Sequence, residues 1–176
     1  MKRLLIAAAT ISLGIASSAR AATTTFNINA NGTKEVNASG VPNGDPDGSI
    51  VGTLTLDPGT GGNTGSATFN LVVTNVDFPL TAWHIHSGAP TTAGPVFIGF
   101  ANPETFRNGN LLTGTSGGLS TDNINLVLSN PSGYYFNTHN GPFPGGAVRD
   151  QLPEPGALSL IGIAGLALLR RRRPAA

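Results

Sequence analysis

All three histidines of this sequence fall in two short motifs. His84 and His86 stand two apart in Trp83-His84-Ile85-His86-Ser87-Gly88, and His139 lies in Tyr134-Tyr135-Phe136-Asn137-Thr138-His139-Asn140. In an extended strand alternate side chains share a face, so His84 and His86 point one way and Ile85 the other. A third imidazole, His139, brought alongside by a neighbouring strand, would complete a donor set for a borderline ion, copper or zinc. The same rings can instead be structural, each satisfied by hydrogen bonds between strands and loops. The sequence leaves both readings open.

No catalytic residues emerge from the rest of the chain. It has no cysteine to act as a nucleophile, and it shows no Ser-His-Asp order, no paired catalytic carboxylates and no phosphate-binding loop. The run Asn43-Gly44-Asp45-Pro46-Asp47-Gly48 begins like a calcium loop, but the twelfth position from Asn43 is Leu54 rather than a bidentate acid, so a turn is expected. Gly145-Gly146 is expected to permit a bend or bulge. Arg149 is expected to pair with a carboxylate or a carbonyl.

The elements that must carry these residues read as strands. Thr24–Asn29, Ser49–Leu56 and Ser66–Val73 alternate apolar and polar residues. The turn Asp57-Pro58-Gly59-Thr60-Gly61-Gly62 joins the last two into a hairpin. Further strands are expected at 81–86, 96–100, 124–128, 133–138 and 147–152, with surface loops at 37–48 and 102–120. No helical period persists for three turns. The expectation is an all-β fold, an antiparallel β-sandwich or Greek-key barrel in one domain.

Both ends read as addresses. Met1-Lys2-Arg3, an apolar stretch from Leu4 to Ala16 and the small-residue site Ala19-Arg20-Ala21 make residues 1–21 a secretory signal peptide. At the other end, Pro153-Glu154-Pro155 precedes an apolar run from Gly156 to Leu169 and then Arg170, Arg171, Arg172 and Arg173. Read as a short hydrophobic transmembrane anchor helix, this segment keeps its arginines cytoplasmic and residues 22–152 outside. The formal charge of +1 is therefore misleading. Residues 22–152 hold three basic and eight acidic side chains, a net −5, which excludes nucleic acid as a partner.

Residues 153–176 resemble the PEP-CTERM sorting signal of Gram-negative bacteria, on the ordered triplet, apolar segment and arginine cluster. The resemblance implies export through the Sec translocation machinery and recognition by an exosortase. It implies a transient membrane anchor and a role at the cell surface or in a biofilm, with exopolysaccharide or a surface protein as partner. Residues 22–152 resemble the CHRD domain on four motifs: Glu35-Val36, Leu54-Thr55-Leu56-Asp57-Pro58-Gly59-Thr60-Gly61, His84-Ile85-His86-Ser87-Gly88, and Asn137-Thr138-His139 through Pro144-Gly145-Gly146-Ala147-Val148-Arg149-Asp150-Gln151-Leu152. This resemblance marks Glu35, Gly145, Gly146 and Arg149 as family positions and implies a β-sandwich of no settled activity. A fainter resemblance is to Cu,Zn superoxide dismutase, with His84 and His86 matching its His-x-His strand and His139 its later histidine. Disulfide cysteines and a bridging histidine are absent from this sequence. The leading expectation is an exported, non-catalytic surface or matrix protein, and the alternative is a mononuclear copper or zinc β-barrel with a redox or metal-handling role.

Overall fold

A computed structural model describes residues 22–154. The expected signal peptide (residues 1–21) and the expected C-terminal anchor, with Pro155, the apolar run and its arginines, lie outside the described residues. Among the described residues no helix is long and apolar enough to cross a membrane.

Nine strands form one antiparallel sheet: β1 (Thr24–Asn31), β2 (Ser49–Asp57), β3 (Gly65–Thr74), β4 (Leu80–Ser87), β5 (Val96–Gly99), β6 (Arg107–Asn108), β7 (Leu111–Leu119), β8 (Tyr134–Asn140) and β9 (Val148–Gln151). Their spatial order is β5-β4-β8-β9-β1-β2-β3-β7-β6. The β1–β9 junction is a single residue pair, Asn31 with Arg149, and there the sheet turns over on itself. Strands β3 and β4 lie far apart in that order, yet Phe69 of β3 stacks on Trp83 of β4 with ring centroids 4.0 Å apart. The curled sheet thus makes two facing layers, and the all-β expectation holds.

The alternation read in the sequence sets the inner face. Phe26, Ile28 and Ala30 of β1, Leu54 and Leu56 of β2, and Ala67, Phe69, Leu71 and Val73 of β3 are all buried. Every second residue points inward, and packing against Trp83, Ile85 and Phe136 removes these side chains from water.

Two expectations are corrected. Residues 124–128 are not a strand but part of a helix, α1 (Thr121–Ser129). Ser120 caps it, its side chain accepting from the Asn123 N–H at 3.3 Å, and Asp122 lies in the positive first turn. Ile124 and Val127 are buried three residues apart, so the helix docks by one stripe, a spacing that five residues of mixed apolar character conceal. The segment 102–120 is not a loop throughout, since it contains β6 and β7. Strand β7 shows little alternation because of its glycines, one of which has a clear task. Gly114 has φ +143, and a Cβ there would meet Phe106 Cδ1 at 2.5 Å. Its absence lets that ring close over the strand beside Phe69.

Candidate metal centre

Strands β4 and β8 pair in the register His84–Asn137 and His86–Tyr135, with Ala82 opposite His139. Strand β9 extends the rows, placing Arg149 opposite Asn137 and Gln151 opposite Tyr135. Residues paired in this way share a face, so His84, His86, Tyr135, Asn137, His139, Arg149 and Gln151 lie on one side, opposite Trp83, Ile85 and Phe136. This half of the sheet therefore has an apolar face in the core and a second, polar face roofed by loops.

On that polar face the three histidines meet. His84 Nδ1 lies 3.1 Å from His139 Nε2 and 3.4 Å from His86 Nε2. One ligand nitrogen from each ring lies within 4.8 Å of the others. Among the described residues this is the one group of three or more His, Cys, Asp or Glu close enough to hold an ion. Bonds of about 2.0–2.1 Å at tetrahedral angles put ligand nitrogens about 3.3–3.4 Å apart, which two of the contacts bracket.

Protons decide what this triangle is. His86 Nδ1 faces the Gly94 carbonyl at 2.8 Å, and His139 Nδ1 faces the Pro144 carbonyl at 3.0 Å. A carbonyl accepts only, so both Nδ1 atoms carry the hydrogen. In the neutral rings both Nε2 atoms are then bare lone pairs aimed at His84 Nδ1. That atom has at most one hydrogen, enough for one of its two neighbours. At least one of the two Nε2 lone pairs consequently has no hydrogen to accept, which a cation between the rings would relieve. Backbone carbonyls that set the tautomer of ligating histidines are the usual outer support of a metal site.

The charged alternative is disfavoured. Burial, then the His139 and His86 rings, pull His84 down to about 4. Burial also lowers His86, against the Gly94 carbonyl, which raises it, as does the neighbouring Asn137 amide. His139 is lowered by burial, partly offset by the Pro144 carbonyl. The rings are thus neutral near pH 7, the form that binds metal. The sign for stability follows. With folded values below the ordinary 6.5, the unfolded chain takes up protons first. The contribution is complete above about 6.5 and is lost as pH falls toward 4. In chelator-treated protein the urea midpoint should fall between pH 6.5 and 4.5 more steeply for the wild type than for a His84→Ala/His86→Ala/His139→Ala variant. Parallel profiles would contradict the burial argument.

The family positions surround this cluster. Arg149 is 1% exposed. It donates through Nη1 to the Thr92 carbonyl at 3.0 Å and through Nη2 to the Ala89 carbonyl at 2.7 Å. Its guanidinium also lies 3.4 Å over the Tyr135 ring, whose other neighbour, His86, is stacked at 5.1 Å between centroids. Glu35 is 1% exposed. One of its carboxylate oxygens accepts from the Val36 N–H at 3.1 Å and the other from Asn137 Nδ2 at 3.3 Å. Burial pushes its carboxyl up, while Asn137, the Val36 N–H and Arg149 oppose the shift. Gly146 has φ +142, and a Cβ there would lie 2.5 Å from Glu35 Oε2. Glycine is thus required at Gly146 both by its conformation and by the acid beneath it. Gly145 has open space around it, its nearest neighbour being Asn43 Nδ2 at 3.9 Å.

Pairing with carbonyls is what the sequence led one to expect of Arg149. Tyr135 and Asn137 carry no comparable signal, because the register that places them between Arg149 and the histidines is a long-range property. In the acidic run, Asp45 N donates to the Ala147 carbonyl at 2.8 Å and Gly48 N to Asp45 O at 3.2 Å, which makes it a turn.

A curled antiparallel sheet with a loop-roofed polar face of three imidazoles, a buried acid and a buried arginine defines a small domain of β-sandwich type. The family model of the CHRD domain matches residues 26–152, and the chain belongs to that family. Membership suggests a non-enzymatic domain of extracellular type. No curated protein matches the chain, and no solved structure does.

Proposed function

We propose that this protein is an exported, non-catalytic CHRD module of the cell surface or extracellular matrix that holds one metal ion, copper or zinc, through His84, His86 and His139. One observation carries the metal reading: two bare Nε2 lone pairs converge on a third imidazole nitrogen, and their tautomers are set by the Gly94 and Pro144 carbonyls. Three imidazoles suit both ions, and softer or harder donors are missing from the cluster.

Export and sorting rest on the two terminal segments. The signal peptide would direct the chain to the Sec machinery. Pro153-Glu154-Pro155 with its apolar run and arginines would anchor it transiently for an exosortase, leaving it on the envelope of a Gram-negative cell or in its matrix. Exopolysaccharide or a surface protein is the partner class that fits such a location, and a net charge of −5 over residues 22–152 disfavours nucleic acid.

Intact mass and cell fractionation test the export half. The exported form should begin at Ala22 and end near Pro153, and full-length protein in the cytoplasm would contradict it. Chelator competition tests the metal half. Zinc should bind at one equivalent, and each single His→Ala change should weaken it by at least tenfold, the scale on which even outer-shell changes act.

A further inference from the structure

Asn137 stands in the row between His84 and Arg149 and is 1% exposed. Its Nδ2 donates to Glu35 Oε2 at 3.3 Å. Ionised beside Arg149, Glu35 only accepts, so this bond sets which end of the amide is nitrogen and turns Oδ1 away from Glu35. Oδ1 has less than 1 Å² of accessible surface and no hydrogen-bond partner. A buried acceptor in that state is costly enough that a missing donor is the first explanation to seek.

No ring hydrogen meets it in hydrogen-bond geometry, although the Asn137 amide lies near enough to His86 to raise that ring. The Nδ1 hydrogens of His86 and His139 are committed to Gly94 and Pro144, and their Nε2 atoms face the cluster centre bare. Arg149 is turned to the Ala89 and Thr92 carbonyls and Gln151. Three imidazoles also fill only three positions of a tetrahedral ion, and among the described residues no fourth His, Cys, Asp or Glu joins them. Such a site keeps an open position, as catalytic rather than structural zinc sites do.

Resting on the metal reading above, we propose that the ion held by His84, His86 and His139 keeps a fourth, exchangeable ligand that is a water molecule, and that Asn137 Oδ1 accepts a hydrogen from it. One bound water then satisfies both the unpaired Asn137 oxygen and the fourth position of the ion. The arrangement favours ligands carrying a hydrogen on the donor atom over anions that have none. The centre would accordingly admit neutral hydroxyl groups more readily than small anions.

The test uses purified protein loaded with Co(II), whose visible d–d bands report its ligands, titrated with azide. Cobalt should bind at one equivalent, and azide should change the bands saturably but weakly. Asn137→Ala should keep cobalt and bind azide about tenfold more tightly, because displacing the water no longer forfeits a hydrogen bond. Asn137→Asp should bind azide more weakly than wild type, because the acceptor is retained and a negative charge is added. Opposite signs in the two variants separate this role from a merely structural one. If Asn137→Ala does not fold, the Asp variant decides alone, and azide affinity equal to or above wild type overturns the proposal. No cobalt in the wild type would overturn the metal reading itself. Cobalt bound with bands indifferent to azide would overturn only the open position, and equal azide affinity in wild type and the Ala variant would overturn the part given to Asn137.

Discussion

Replacing Arg149 with alanine should destabilise the protein by about 3–5 kcal/mol, the range expected when one member of a buried charged network is removed. The side chain is 1% exposed, so its loss leaves a hole that water does not readily reach. The Ala89 and Thr92 carbonyls lose their donors, and these carbonyls belong to the loop that follows β4. The Tyr135 ring loses the cation lying 3.4 Å from its face. Glu35 loses a positive charge that holds its carboxyl down, so its burial becomes more unfavourable at neutral pH. Arg149→Lys should recover only part of the loss, because an ammonium cannot serve two carbonyls and a ring face in the same planar geometry. Urea denaturation of both variants measures this. A loss below about 1 kcal/mol for the alanine variant would mean that the polar layer is not a stabilising unit.

Trp83→Ala should cost a similar amount, about 3–5 kcal/mol. Trp83 is fully buried and stacks on Phe69 at 4.0 Å, with Phe100 edge-on at 5.9 Å and Phe106 tilted at 5.6 Å. Its Nε1–H donates to the Ala101 carbonyl at 2.6 Å. The two layers touch through this cluster, and Trp83 is also the residue before His84. Trp83→Phe keeps an aromatic contact and loses the N–H donor, so it should cost about 1–2 kcal/mol. The chain has a single tryptophan, so the comparison should be made by circular dichroism. A Trp83→Ala variant as stable as wild type would contradict the packing of the two layers through this stack.

The parts of the fold legible in the sequence are those that local periodicity determines. Strands β1 to β3 alternate cleanly because one face is core and the other is solvent. The same period of two puts His84 and His86 on one face. Helix α1 was not legible, because its buried stripe needs only Thr121, Ile124 and Val127, and five of its residues imitate a strand. Strand β7 was hidden by Gly114, Gly117 and Gly118, which remove the side chains that would have shown a pattern. The meeting of His139 with the pair depends on the β4–β8 register, which 53 residues of separation between His86 and His139 leave unstated. The carbonyls that set the tautomers are main-chain atoms of Gly94 and Pro144, and no side-chain motif announces them. Glu35 and Asn137 face each other across 102 positions, and neither residue type alone implies the other.

The proposed centre requires an ion at the three imidazoles. The most direct measurement is elemental analysis of the purified protein before and after copper and zinc loading. A His84→Ala/His86→Ala/His139→Ala variant, shown by circular dichroism to remain folded, is measured beside it. The proposed centre predicts close to one equivalent of metal in the wild type after loading and none retained by the variant. A wild type that holds no metal after loading, or a variant that holds as much, would leave the three rings as structural groups and contradict the proposed centre.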